Sequence, residues 1–496
     1  MPFGKVLKNI LNIVSKNKVL FILIFIAAVL RLYQLDKLTI FLSDQGRDAI
    51  IVERILTFKN FPLIGAPTSI GQVFLGPFYY YLIAPFLFIF QFNPAGMAYG
   101  VAFLSLIGIV LSYLAVKKKL GKLTAIFFTL LVVFSFTQIE FSRFSWNPNL
   151  LPIFSFASLY FFYKSLTTKN YFTSFIFGAL LSFSIQLHYL AIFLFIPLGI
   201  LFLESLIKDK HKILILKNIF VTALSFILFS STLILFDLRH GFLNSKNFLK
   251  LFSQKELVSN SSFFSRFSDT VQAFINHIFK TDLNQNGAIA VLLIFIVLYF
   301  LLFKKNNAGL FLKINFYAVC LYLLSFSLLS SARHPHYFAS IYYSFFLILG
   351  YLLSNLFKLQ RVKYIIPVLF LIIYIFLNAK NYYFFKNADP YWSQINQAKR
   401  VANSLSKEIG NKPFNFATWP ISFGEDNFLY FLELKGQIAA NREKLEITDQ
   451  MFVLCKEEPC LVINSPSWNI SMFGKAKIDK IWDFEGIKIY KLIHEK

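Results

Sequence analysis

Twelve long apolar runs joined by short polar segments leave this chain few ways to fold. They cover residues 19–35, 76–92, 96–116, 122–138, 150–166, 171–187, 189–206, 213–236, 288–304, 309–330, 335–357 and 362–378. Runs of about 17 to 25 apolar residues cross a bilayer as helices, because a helix satisfies its own backbone where water is absent. Charged residues make up only 15% of the chain, against roughly 25% in a soluble domain. The formal net charge of +24 sits in Lys and Arg clusters between the apolar runs. No basic strip with interleaved aromatics occurs, so nucleic acid is set aside and the lipid bilayer is the expected surrounding.

Basic loops then orient the bundle, since short loops rich in Lys or Arg stay cytoplasmic. Lys5, Lys8, Lys16 and Lys18 precede the first run like a signal peptide. No small-residue cleavage site follows, and Arg31 closes the run, which is expected to be an uncleaved first span. If all twelve runs crossed, the cluster Lys117, Lys118, Lys119 and Lys122 would lie outside and every later basic loop would be inverted. Treating 76–92 as an interfacial or partly inserted element removes the conflict; Gly76, Pro77 and Pro85 suit a broken segment. The expectation is a multi-pass cell-membrane protein of about eleven spans with a cytoplasmic N-terminus. A twelve-span arrangement stays open.

Residues 1–379 are expected to form the membrane bundle, with 36–95 as its first outer loop carrying juxtamembrane helices. Residues 237–287 form a second, mixed outer segment. Residues 380–496 are polar, with a helical pattern near 393–409 followed by alternating stretches such as Phe452-Val453-Leu454 and Ile487-Lys488-Ile489-Tyr490. That pattern predicts a small extracytoplasmic α/β domain. On that side Cys455 and Cys460 can form a disulfide, while Cys320 lies in an apolar run as packing.

The unusual polar residues gather on the outer side. Asp44 and Asp48 lie in Ser43-Asp44-Gln45-Gly46-Arg47-Asp48 after the first span, and Arg143 and Asn147 lie in Ser142-Arg143-Phe144-Ser145-Trp146-Asn147. His188 follows one span, Arg239 and His240 end another, and Arg333, His334, His336 and Tyr337 begin a third. Singly, such residues snorkel or bond a neighbouring helix. Together they place acids opposite cations at one membrane face. A carboxylate can take a proton from an acceptor hydroxyl, while Arg and His hold a phosphate whose charge grows as it leaves. Asp48, four residues from Asp44, shares a helix face with it or simply pairs with Arg47 or Arg54. A divalent ion on Asp44, Asp48, His334 and His336 is possible, but no metal-binding spacing indicates one. No cofactor-binding glycine loop occurs either.

Asp44 soon after the first span, Gly76-Pro77-Phe78-Tyr79-Tyr80-Tyr81-Leu82 at the next apolar segment, and Ser142-Arg143 before a later one resemble the GT-C glycosyltransferases. The resemblance is to the protein O-mannosyltransferases and the lipid A aminoarabinose transferases of that family. The resemblance covers roughly residues 19–380 and implies sugar transfer from a polyprenyl-phosphate carrier at the outer face. It puts Asp44 in the position of the acid that acts as or near the general base. Gln45 replaces the acid that often follows, and Asn147 or Asn149 replaces a second one. Gly76-Pro77-Phe78 lacks the leading cation and one Pro of the family motif.

The resulting expectation is an inverting, metal-independent transferase acting on an extracytoplasmic hydroxyl of protein, glycan or lipid. Asp44 and Asp48 would be catalytic. Arg143, His188, Arg239, His240, Arg333, His334 and His336 would hold the donor phosphate, and Gln45, Tyr79, Tyr80, Asn147 and Tyr337 would contact substrate. Two other readings use the same residues: a flippase or transporter of lipid-linked glycan, and a polymerase or ligase of such glycans.

Overall fold

The computed structural model describes residues 17–68, 73–168, 170–253, 262–303, 307–329, 331–358 and 364–495. Lys5, Lys8 and Lys16, and the loop lysines Lys169, Lys304, Lys305 and Lys363, lie outside the described residues.

Each of the twelve apolar runs contains a helix. Among the described residues five helices are long and apolar enough to cross a membrane: Ala95–Leu120, Tyr189–Lys208, Lys212–Phe229, Gln285–Leu302 and Gly309–Phe326. Shorter apolar helices such as Lys122–Phe134, Tyr171–Leu187 and Tyr342–Leu356 pack among them. Small residues allow the closest approaches, as expected where lipid gives no hydrophobic drive between helices. A Cβ on Gly178 would lie 2.3 Å from the Thr222 carbonyl oxygen, and one on Gly350 would lie 2.7 Å from the Phe128 nitrogen.

The 76–92 segment becomes the helix Phe78–Ile89, 12 residues long. At 1.5 Å per residue it spans about 18 Å, short of a hydrocarbon core of about 30 Å. Both of its ends meet groups of the helix Ser43–Leu56 or of the C-terminal region. Near its start Tyr80 bonds Asp48, and just past its end the Phe92 carbonyl accepts from the Tyr430 hydroxyl at 2.6 Å. Lys117 at the far end of Ala95–Leu120 donates to Asn17, just before the helix Lys18–Leu32. The first and next long helices therefore run antiparallel, as they must if the short helix between them does not cross.

The span expected from residue 335 begins later. His336 and Tyr337 lie in a single 3-10 turn, Pro335–Phe338, ahead of the helix Tyr342–Leu356. Within residues 237–287 the helix Phe263–Phe279 buries Thr270, Val271, Phe274, Ile275 and Ile278 along one face, the spacing of an amphipathic helix.

The C-terminal region opens with the helix Gln394–Ile409, whose buried residues Ile395, Ala398, Val401, Ala402, Leu405 and Ile409 repeat at helical spacing. Ser393 caps it by accepting from the Asn396 nitrogen. Four strands follow: β1 (Asn415–Trp419), β2 (Gln450–Cys455), β3 (Ala476–Phe484) and β4 (Ile487–His494). They lie in the order β1-β2-β4-β3, with β1 parallel to β2 and the other pairs antiparallel. Cys455 and Cys460 are joined by a disulfide.

This region docks on the helix Ser43–Leu56 through the helix Asp426–Glu433. Ser43 donates to Asp426, and Arg54 makes a two-pronged bond to Glu433 at 2.7 and 2.9 Å. Between these two links, a Cβ on Gly46 would lie 2.2 Å from the Asn427 nitrogen. Glycine is required there because backbone meets backbone.

Candidate active site

The first-loop acids sit on one helix, Ser43–Leu56. Gln45 starts it by turning its Oε1 back to the Leu42 nitrogen at 3.1 Å, half of a capping box. Ala49, Val52 and Ile55 recur every third residue and are buried. Asp48 shares that inner side and is 0% exposed, whereas the Asp44 side chain, one turn earlier, is 51% exposed.

Arg47 joins the two acids. Its Nη1 donates to Asp44 Oδ1 at 2.8 Å, while Nη2 and Nε donate to Asp48 Oδ1 at 2.8 and 3.0 Å. The Tyr80 hydroxyl adds a bond to the same Asp48 oxygen at 3.2 Å. Burial pushes the Asp48 carboxyl up to about 6, against the pull of Arg47. The helix thus presents one buried acid that anchors an arginine, and one accessible acid that the arginine steadies.

Asp44 and Arg47 open onto a cavity of about 460 Å³. Across it stand His188, His334, His336, Asn147, Tyr337 and Trp146. The imidazoles cluster: the ring centroids of His188 and His336 are 5.6 Å apart, those of His334 and His336 are 5.7 Å apart, and Trp146 lies 4.7 Å from His336. His188 Nδ1 accepts from the Leu190 nitrogen, so in the neutral ring Nε2 carries the proton. Asn147 is 1% exposed, yet neither polar atom of its side chain has a hydrogen-bond partner. A buried amide left open in this way costs free energy unless something in the cavity completes it. The arrangement can hold an anionic group by neutral donors and one guanidinium while offering a carboxylate as base.

Other expected site residues lie elsewhere. Arg143 is buried and spends its guanidinium on the carbonyls of Leu30, Arg31 and Tyr33, at 3.1, 3.1 and 2.9 Å, over the Phe384 ring. It fastens the end of the first span rather than lining the cavity. Arg333 bonds Thr270 and the carbonyls of Ser331 and Leu329, and lies over Phe326. Arg239 and His240 are exposed, with His240 stacked on Phe236. None of these four residues lines the cavity. Tyr79 is buried against Ser145, hydroxyl to hydroxyl at 2.6 Å. Gln45 lines a second cavity that adjoins Asp44.

Two residues the motifs left unassigned are central. Arg47 carried a signal in its spacing, three residues after Asp44 and next to Asp48. Trp146 sat in the quoted Ser142–Asn147 string but had no partner visible in sequence. Asp426, Asn427 and Glu433 lie almost 400 residues beyond the acids they support, and no local pattern marks them. Among the described residues no group of three or more His, Cys, Asp or Glu is placed to hold a metal ion.

Comparison with known proteins bears on this geometry. The structure aligns with ArnT from Cupriavidus metallidurans bound to undecaprenyl phosphate, with a TM-score of 0.60 at 12% identity over 95% of this chain and 97% of that one. The fold is an ArnT-like GT-C fold, a membrane helix bundle with a small C-terminal sheet. The apo form of the same ArnT aligns equally well, with a TM-score of 0.60 at 11% identity over 96% of this chain and 98% of that one. Residues 75–235 match the family model described as dolichyl-phosphate-mannose-protein mannosyltransferase. That match covers the short helix after the acids, the Arg143–Asn147 segment and His188. No curated protein sequence matches the chain.

Proposed function

We propose that this GT-C protein is a glycosyltransferase that moves a sugar from a polyprenyl-phosphate carrier to an acceptor hydroxyl on the outer side of the membrane. The observation that carries the reading is the single cavity in which half-exposed Asp44, steadied by Arg47, faces three imidazoles and the open amide of Asn147. Asp44 takes the proton of the acceptor hydroxyl, and the resulting oxygen attacks the anomeric carbon. The bond from that carbon to the phosphate oxygen breaks, and the carrier departs as a phosphate with one more negative charge. Asn147, His188 and His336 donate to that phosphate, and Arg47 supplies the nearest fixed positive charge. One displacement inverts the anomeric configuration.

Asp48 acts through Arg47, and Tyr80 through Asp48. The same reading assigns the donor phosphate to protein donors rather than to a metal ion; transfer that survives chelation by EDTA supports this, and loss restored by a divalent ion refutes it. Purified protein in lipid nanodiscs, given a panel of polyprenyl-phosphate sugars, should release polyprenyl phosphate from at least one of them. Failure to turn over any of the panel, in protein of native fold, rejects the donor assignment.

A further inference from the structure

The Asp44 carboxylate borders a second cavity, of about 620 Å³. Asp44 and Trp146 belong to both cavities and form their common wall. The second differs in its chemistry. Among the described residues that line it there is no histidine or arginine, and the charged ones are Lys456, Glu457 and Asp44 itself. Lys456 and Glu457 are exposed. The rest of its polar lining is amide and hydroxyl, set beside aromatic rings.

Asn427 gives the direct sign of a ligand. It is 6% exposed, it lines the cavity, and its Oδ1 has no hydrogen-bond partner. An orphaned buried acceptor asks for a donor from outside the chain. The neighbouring amides are half used. Gln394 Oε1 accepts from the Phe41 nitrogen at 2.7 Å and its amino group is uncommitted, whereas Gln397 donates to the Glu485 carbonyl and its oxygen is uncommitted. The rings come in pairs. Phe144 and Trp146 are stacked with centroids 6.1 Å apart, and Phe423 and Phe428 meet edge to face at 5.5 Å.

We propose that this second cavity is the acceptor subsite and that it takes an uncharged saccharide. A pyranose carries C–H groups on one face, which pack against aromatic rings, and hydroxyls around its edge, each both donor and acceptor. Uncommitted amide donors and acceptors beside aromatic faces match both features, and two carboxylates against a single lysine argue against an anionic acceptor. One saccharide hydroxyl then meets Asp44 at the common wall while the donor phosphate occupies the histidine-lined cavity. The C-terminal region, which contributes Gln394, Gln397, Phe423 and Asn427, is thereby the part of the chain that recognises the acceptor. This inference rests on the donor reading above but is tested without the donor.

Saturation-transfer difference NMR on the full chain in nanodiscs, free of sugar-headed detergents, would be run with neutral gluco-, galacto- and manno-configured oligosaccharides and with a Ser/Thr-containing peptide. Saturation should reach the pyranose C–H protons of at least one saccharide. It should persist in Asp44→Asn, and affinity should weaken by about tenfold in Phe423→Ala and in Gln397→Ala. No saturation of any saccharide, saturation of the peptide alone, or binding indifferent to both lining substitutions overturns the proposal. Release of polyprenyl phosphate, measured separately, reports on the donor reading, so either can fail without the other.

Discussion

Replacing Gly46 by Ala tests whether the C-terminal region sets the position of the first-loop acids. The added Cβ would lie 2.2 Å from the Asn427 nitrogen and 2.3 Å from the Asp426 carbonyl carbon. Comfortable contact needs roughly 3.4 Å or more, so helix and docked backbone must separate by about 1 Å. No side chain can rotate away, because the obstructing atoms are backbone. Overpacking of this kind costs about 1–3 kcal/mol. The Ser43–Asp426 and Arg54–Glu433 bonds flank the point of contact and must stretch with it. Asp44 lies two residues away, and a 1 Å misplacement at a reacting group can cost about a hundredfold in rate. We therefore expect Gly46→Ala to lower the turnover of polyprenyl-phosphate sugar by about that factor, and the midpoint of thermal unfolding to fall by several degrees. Gly199→Ala is the control, since among the described residues nothing beyond its chain neighbours and its own helix backbone lies within 4 Å of its added Cβ; its rate should be unchanged. Wild-type rate and stability in Gly46→Ala would refute the claim that this contact positions the acid.

Four further outcomes follow from the site and its surroundings. Burial holds Asp48 at about 6, so its anchoring of Arg47 is lost on acidification. The transfer rate should decline below about pH 6, and Asp48→Asn should be slow throughout and lack that acidic limb. Stability runs the other way at this residue. A carboxyl whose folded value is raised stabilises the fold below its unfolded value near 4 and loses that contribution as pH rises through about 6; thermal unfolding of Asp48→Asn against wild type across that range checks the sign. Arg143→Ala should destabilise the protein by about 3 kcal/mol or more, because it strips donors from three carbonyls. Its residual folded fraction should keep the donor KM, which separates fastening from phosphate binding. Arg239→Ala and His240→Ala should leave turnover within about twofold, in keeping with their exposure away from the cavity.

Much of the architecture was legible because hydropathy acts over whole segments. All twelve runs became helices, and the basic cluster at Lys117–Lys122 is what singles out 76–92 as the run expected not to cross. Phe78–Ile89 is short and meets Asp48 near its start and Tyr430 just past its end, an arrangement compatible with that expectation. The site was legible only in part. Asp44, Asn147, His188, His334, His336 and Tyr337 converge on one cavity, as residues that end spans at a common face should. Arginines misled because a guanidinium has five donors and serves equally well to satisfy buried carbonyls. Arg143 and Arg333 do that, and sequence does not distinguish the two uses. The second cavity was invisible because its walls meet only when Asp426–Glu433 docks on Ser43–Leu56, a contact between segments almost 400 residues apart.

The most direct test is single-turnover transfer by Asp44→Asn. The amide keeps the shape and the Arg47 contact but cannot take the proton. With the donor bound as tightly as in wild type, release of polyprenyl phosphate should fall by about 10² to 10⁴. Release at the wild-type rate would remove Asp44 from the chemistry and contradict the account.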